Sequence, residues 1–433
     1  MPRLPALSRL ESLDVRGMKL GLAAIGEVCE RLGQPERAVE SILVAGTNGK
    51  GSTAATLAAI GLSAGVPTGL YTSPHLESVT ERIRIGADDI AREELDAMLA
   101  EVFAAADRAP GVPVTFFEAM TAAAFLTFAR RKLGLAVLEV GLGGRFDATN
   151  VAPASVSVVT PIGLDHTEEL GPTAEAIAGE KAGIFRSGRP ALVASHEPGV
   201  RRVFQQAAAA AGAVLHEMAE ETRIAASRAG LSGTRFRLET ARRAYELETP
   251  LLGIHQAENA ALAVRAAELW RPSLSEDAAV RGVASVRWPG RLERFEARGH
   301  SGGRKVPVFL DGCHNPHGAD ALARFLEGAH LRSDLVFGAM ADKDIESMAA
   351  VLGPRVRRIR LVPAGSPRAA TPAELARRFA GARPDAAASE SLGAALEELL
   401  GDPSTESIIV AGSLYLVGEA RTRLLSGRFE ETR

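Results

Sequence analysis

A run of glycines around one lysine is the strongest chemical signal in the chain. Gly46-Thr47-Asn48-Gly49-Lys50-Gly51-Ser52-Thr53 follows an apolar run, Ser41 to Ala45, and leads into an Ala/Leu-rich stretch. Glycines let a backbone turn sharply and present its N–H groups to an anion, and the start of a helix adds to that attraction. Lys50 is placed to reach the outer phosphates of a nucleotide, and Ser52 or Thr53 to offer a hydroxyl to a phosphate or to Mg2+. The spacing departs from the GxxxxGK[ST] pattern, because Val44 replaces the first glycine and Gly51 follows the lysine. The competing reading is a glycine-rich turn with a solvated lysine. Placement between a strand and a helix start favours phosphate binding.

Other residues carry weaker signals. Glu139 ends an apolar run just before Gly141-Leu142-Gly143-Gly144, where α/β sheets place ligands. A carboxylate there is costly unless ion-paired or metal-bound. His166 follows Asp165 in a loop, and a lone histidine is more often packed or capping than a ligand. Mg2+ prefers oxygen, which argues the same way. Lys181, in an Ala/Gly-rich helical stretch, reads as a solvated or ion-paired ammonium. Asn259, in His255-Gln256-Ala257-Glu258-Asn259, reads as bonding its own turn at a helix start. Cys29 and Cys313 lack an activating neighbourhood beyond His314, and no Ser-His-Asp set is visible. His314 and His317 form an HxxH pair that Cys313 does not complete into a zinc site. The chemistry expected is therefore electrostatic rather than nucleophilic.

The elements that position these residues alternate. Strands are expected at Ser41 to Ala45, Pro67 to Tyr71, Leu135 to Val140 and Ser155 to Thr160, with helices over Thr53 to Ala64 and Phe116 to Lys132. Continuous apolar strands separated by helices predict a parallel sheet covered on both faces. Arg223 to Glu248, with Thr234, Phe236 and Leu238 alternating, predicts an antiparallel patch. Trp288-Pro289-Gly290-Arg291, followed by Gly299 to Lys305, combines Pro, Gly and charge and is the expected hinge. Beyond it a second βα series begins: strands Val306 to Leu310, Leu335 to Gly338, Arg358 to Val362 and Ile408 to Ala411. Asp311 then ends the first strand of that domain. The fold class expected is α/β, a P-loop mononucleotide-binding parallel-sheet domain over 1–292 plus a smaller Rossmann-like α/β domain over 293–433.

Composition excludes several classes of function. In 433 residues, 46% are hydrophobic and 24% charged, which excludes disorder and collagen-like repeats. The net charge of −3 gives no global attraction to nucleic acid. No apolar run approaches the ~20 residues that cross a bilayer. Two distant cysteines and no apolar leader predict a reducing, cytoplasmic setting. The expected partners are small molecules, with no nucleic acid, no membrane and a monomeric chain.

Gly46 to Ser52 resembles the nucleotide loop of the Mur ligase superfamily, specifically its folylpolyglutamate synthase/dihydrofolate synthase branch. The resemblance continues through Tyr71-Thr72-Ser73-Pro74-His75-Leu76, Glu81-Arg82-Ile83 and the run from Glu139 to Asn150. It goes on through Leu164-Asp165-His166-Thr167, Gly179 to Ile184, Trp288 to Glu293 and Asp311-Gly312-Cys313-His314-Asn315-Pro316. It implies ATP-dependent amide formation between a folate-type acid and the amine of glutamate, through an acyl phosphate. It assigns ATP to Asn48, Gly49, Lys50, Gly51, Ser52, Asn259, Arg291 and Asp311, and Mg2+ to Ser73, Glu139 and His166. It makes Lys181 a carbamate that helps hold a second Mg2+, and casts Lys50, Lys181 and His166 as catalytic. It gives the pterin to Thr115, Phe116, Phe117, Glu118, Phe146, Asp147 and Ala148. Met18-Lys19-Leu20-Gly21-Leu22 aligns with another pterin-side stretch, with Lys19 where an acid can occur in bifunctional members. The form GGRFDATN points toward the bifunctional type. The alternatives are a cell-wall (UDP-muramyl) amino-acid ligase of the same superfamily, or a P-loop ATPase or binding module without ligase chemistry.

Overall fold

The computed structural model describes residues 4–13, 21–194, 196–298 and 304–426, and the backbone of 429–431. The chain forms two compact units. One comprises Met1–Ala225, Arg237–Leu247 and Glu258–Val286, and the other Ala226–Phe236, Glu248–Ala257 and Arg287–Arg433.

The first unit is built on an eight-stranded sheet. Its strands are β1 (Ser41–Ala45), β2 (Thr68–Tyr71), β3 (Ile83–Ile85), β4 (Asp88–Asp89), β5 (Leu135–Glu139), β6 (Val156–Val159), β7 (Pro190–Val193) and β8 (Val214–Glu217). The order is β4-β3-β2-β5-β1-β6-β7-β8. From β2 to β8 every neighbouring pair is parallel. β1, β5 and β6 are buried at every position, as strands covered on both faces must be. The helix Phe116–Arg130 starts from a capping box, Thr115 with Glu118, and buries nearly its whole surface. Parallel pairing sends the chain out of β1, β2, β5 and β6 at one edge of the sheet. The glycine loop, the Ser73 loop, the 140–148 loop and the 160–166 loop therefore gather there.

Sequence periodicity did not reveal β3, β4, β7 and β8. β3 and β4 are too short to show a period, and they pair antiparallel beyond β2. β8 has no fully buried position, so it shows no apolar run. The antiparallel patch is present as a three-stranded sheet of β9 (Thr222–Gly230), β10 (Gly233–Thr240) and β11 (Ala244–Thr249). Thr234, Phe236 and Leu238 all lie buried on β10.

The second unit carries a seven-stranded sheet of β12 (Arg291–Arg298), β13 (Lys305–Asp311), β14 (Ser333–Phe337), β15 (Ile359–Leu361), β16 (Ala387–Ala388), β17 (Ser407–Ala411) and β18 (Phe429–Glu431). Its order is β16-β15-β14-β17-β13-β12-β18, and β12 pairs antiparallel with β13. This corrects the hinge expected over 289–304, of which residues 299–303 lie outside the described residues. Arg291 opens a strand, and Asp311 ends the second strand of this sheet rather than its first. Charges at alternate positions of β12 (Arg291, Glu293) disguised it as a linker. The division drawn at 292/293 falls inside β12, whereas the compact units part at Val286/Arg287.

The core of this unit is aromatic and aliphatic: Phe337 meets Phe379 edge-on at 5.0 Å, and Phe309 meets Phe325 at 5.7 Å. At the start of β14, Asp334 is 0% exposed. It accepts from Arg357 at 2.9 and 2.6 Å, from Arg358 at 3.1 and 2.8 Å, and from Thr405 at 3.0 Å. Burial pushes this carboxyl up, but the two guanidiniums more than offset that and hold it below the ordinary carboxylate range. Its stabilisation is therefore present above the unfolded carboxyl's pKa and is lost as pH falls through the lower, folded value. Asp334→Ala is expected to cost about 3 kcal/mol at neutral pH, because it removes the buried carboxylate shared by both guanidiniums, although Arg358 keeps Asp402. The difference in melting temperature from the parent should narrow below about pH 4. Thermal denaturation of both chains across that range checks this.

Candidate active site

The glycine loop is held in place from the end of β6. Thr47 and Asn48 donate backbone N–H groups to Pro161 O at 3.1 and 3.4 Å, and Thr160 Oγ1 donates to Asn48 O at 2.7 Å. Thr47 Oγ1 both donates to Gly163 O (3.0 Å) and accepts from Gly163 N (3.1 Å). Gly49 caps the helix Lys50–Ser63 with φ of 85°, a conformation that favours glycine. A Cβ there would lie 2.3 Å from Asn259 Oδ1, so Asn259 sits directly against the loop. Lys50 begins the helix, with Nζ 3.1 Å from Thr47 O, and Gly51 and Ser52 are buried in its first turn. The helix Ile254–Trp270 that carries Asn259 is anchored further along. Buried Glu268 accepts from Tyr245 Oη at 2.8 Å, Thr240 Oγ1 at 3.0 Å and Arg265 at 3.0 Å.

Lys181 is not a solvated ammonium. Its side chain is buried and Nζ donates to Gly46 O at 2.7 Å, inside the glycine loop. Burial, with Lys50 nearby, lowers its pKa to about 7, against the opposing pull of Asp165 and Asp147. The stretch that places it is pressed against the 141–150 loop. A Cβ on Gly144 would lie 2.8 Å from both Glu180 O and Lys181 O, so only glycine allows this approach. Arg145 N donates to Glu180 O at 2.9 Å, and Asn150 Nδ2 to Gly183 O at 3.2 Å. Arg186 Nη2 closes the seam on Asn150 Oδ1 (2.6 Å) and Ala152 O (3.2 Å). Neither Thr160 nor Arg186 stood out in the sequence, since threonines and arginines occur throughout it.

Glu139 ends β5 at 5% exposure, and Ser73 N donates to its Oε2 at 3.3 Å. A buried carboxylate beside a serine is an oxygen donor set of the kind Mg2+ takes. Among the described residues no three His, Cys, Asp or Glu side chains converge, so any such ion would rest on mixed donors. His166 adopts a left-handed conformation with its ring 45% exposed and Nε2 3.9 Å from Asp165.

The acceptor-side residues are held by their own loops. Glu118 Oε2 accepts from Thr115 N and Oγ1, both at 2.8 Å. Asp147 accepts from Gly141 N (2.9 Å), Leu142 N (3.0 Å) and Thr149 Oγ1 (2.6 Å), while burial pushes its carboxyl up. Phe116 and Ala148 are in the core, Phe117 lies 6.0 Å from Tyr71, and Phe146 is 44% exposed. Of the stretch Met18 to Leu22, residues 18–20 lie outside the described residues.

In the second unit Arg291 and Asp311 are paired in register across β12 and β13. Asp311 accepts from Leu292 N and Cys313 N at 3.0 Å each; burial raises its pKa and Arg291 opposes this. His255 was not singled out from the sequence, where it only opens a helix. Burial, then Arg324, His317 and Arg291, lower its pKa to about 4, so it is a neutral imidazole among cations.

The Lys181 geometry makes a direct prediction. In lysine-labelled NMR, Lys181 should titrate near pH 7, and in Lys50→Met it should titrate higher, because one repelling charge is gone. Titration at the ordinary lysine value in both chains would contradict the burial described.

The comparisons with known proteins cover both units. The Mur ligase middle domain matches residues 44–267, and the Mur ligase glutamate ligase domain matches residues 290–414. The dihydrofolate synthase/folylpolyglutamate synthase of Bacillus subtilis is 35% identical over 425 residues, covering 94% of this chain and 96% of that protein. Its Escherichia coli counterpart is 35% identical, covering 95% of this chain and 93% of that protein. Among solved structures, Mycobacterium tuberculosis folylpolyglutamate synthase complexed with ADP superposes with a TM-score of 0.89 at 33% identity, covering 98% and 99% of the two chains. The E. coli FolC complex with DHPP and ADP gives 0.86, also at 33% identity, covering 98% and 99%. The chain belongs to the Mur ligase family, and within it to the dihydrofolate synthase/folylpolyglutamate synthase group.

Proposed function

We propose that this chain is an ATP-dependent ligase that joins the amine of L-glutamate to the carboxylate of folates and of dihydropteroate. The observation that carries the reading is the gathering of three things at one edge of the first sheet. These are a glycine loop with Lys50, a buried Lys181 amine on that loop, and the Glu139–Ser73 pair beside the loops of Thr115–Glu118 and Asp147. The ADP and DHPP named for relatives at 33% identity support the same substrates here.

A carboxylate resists attack by an amine, so one of its oxygens first takes the terminal phosphoryl group of ATP, releasing ADP. The glutamate amine then attacks the acyl carbon, phosphate leaves, and the amine loses a proton. Lys50 and the N–H groups of residues 49–52 bind and orient the phosphates, as fixed positive charge where negative charge develops. Asn259 holds the nucleotide against Gly49. Ser73, Glu139, His166 and a carbamate on Lys181 would hold Mg2+, which when bound neutralises phosphate charge. A lysine already near neutrality at pH 7 can add CO2, because only the free amine reacts. Phe117 and Phe146 offer ring surface to the pterin, with Phe116 and Ala148 packed in the core as their support, while Glu118 and Asp147 shape its loops and present their remaining lone pairs. The two cysteines, both buried and without a disulfide, suit a reducing cytoplasm.

Mass spectrometry of products tests the reading. Incubation with ATP, glutamate and either dihydropteroate or tetrahydrofolate is expected to add one glutamate mass or more. Glutamylation of neither acceptor, with turnover of a UDP-muramyl acid instead, would overturn it. Lys50→Ala is expected to lower kcat by about 100-fold or more with an unchanged melting temperature. Lys181→Ala is expected to be inactive and partly restored by acetate or formate, which place a carboxylate in the vacated space. Absence of rescue together with full activity in CO2-depleted buffer would remove the carbamate from the scheme.

A further inference from the structure

The connection between β2 and β3 is organised around one buried arginine. Arg82 ends the 3-10 turn Val79–Arg82 and is 6% exposed. Its Nε–H donates to His75 Nδ1 at 2.8 Å, and its guanidinium carbon lies 5.0 Å from the centre of the Phe116 ring. Its carbonyl accepts from Thr72 N at 3.0 Å. One residue therefore touches the backbone just before Ser73, the imidazole just after it, and the first aromatic ring of Thr115-Phe116-Phe117-Glu118.

The neighbouring carboxylate has a different task. Glu81 accepts from the N–H groups of Leu76, Glu77 and Ser78 at 2.8, 2.9 and 2.7 Å, which shapes the turn itself. Reach between loops is left to Arg82. The Nε–H of Arg82 is spent on an imidazole, and its planar face on a ring. Since a guanidinium N–H can only donate, His75 Nδ1 accepts and the ring proton sits on Nε2. Both bonds need a fixed planar fork, which lysine does not have.

We propose that Arg82 is a positioning residue for the acid substrate: by gripping His75 and Phe116 it holds the Ser73 loop in register with the aromatic segment that receives the pterin. This rests on the acceptor-side reading of Thr115–Glu118 given above. Released from Arg82, the two loops shift relative to each other, and the acid is presented out of line with the phosphoryl group. The phosphate loop is braced separately, by Thr160 and Pro161. Damage should therefore fall more on the acceptor than on ATP, which the Ser73 loop would reach only through Mg2+.

Steady-state kinetics on the full chain test this, varying ATP and tetrahydrofolate in turn. Arg82→Lys is expected to raise the KM for the acceptor by about tenfold and to lower kcat, with a smaller change in the KM for ATP. His75→Phe should show the same direction of change, and the double variant should be no worse than Arg82→Lys, because the His75 contact is already lost there. His75→Gln keeps a carbonyl oxygen for the Nε–H and should recover most of the acceptor KM. Additive losses in the double variant, or equal changes in both KM values, would overturn the proposal. Should Arg82→Lys fold poorly, the two His75 variants make the comparison at a half-buried position, and equal acceptor KM values in those two overturn it. If the parent chain makes no glutamyl product, the function itself falls and this inference with it. Product from the parent with a normal acceptor KM in Arg82→Lys removes the inference alone.

Discussion

A lysine amine buried against the carbonyl of Gly46 is the interaction around which the first unit is arranged. An ammonium in that position is disfavoured by burial and by Lys50, so the backbone must press it there from behind. The seam between the 141–150 loop and the 179–186 stretch supplies that pressure. Gly144 permits the approach, Arg145 and Asn150 hydrogen-bond across it, and Arg186 ties its far end. The loop after β5 thereby sets where Lys181 meets the loop after β1.

The acidic residues of this edge mostly serve the backbone. Glu81, Glu118 and Asp147 each accept from N–H groups of their own loops. In the second unit Asp311 does the same for Leu292 and Cys313. Such bonds fix loop shape and satisfy the carboxylate oxygens where water is excluded. Glu139 is placed differently. It ends a strand buried on both faces, with Ser73 beside it, where a cation suits it better than a loop does.

Much of this was legible from residue order alone. The apolar runs at Ser41 to Ala45 and Leu135 to Glu139, each followed by glycines, specify buried parallel strands feeding ligand loops, because burial on both faces leaves no room for polar alternation. The glycine loop around Lys50 and the α/β class follow from the same pattern. The helix expected from Phe116 is likewise present, its start set by a Thr115–Glu118 capping box that the structure reveals.

Tertiary structure decided the rest, for reasons that spacing does not encode. Lys181 lies 135 residues from Gly46 along the chain, so its burial and its shifted titration depend on strand order, not on its own helix. Arg291 belongs to a strand because β13 offers an antiparallel partner, whereas its charged neighbours alone suggest a linker. Arg82 acquires its meaning from Phe116, which only the folded chain brings to its guanidinium. Sequence determines which groups can donate, accept or be buried. Which of them meet is set by long-range pairing of strands and loops, whose partners lie too far along the chain for local pattern to name.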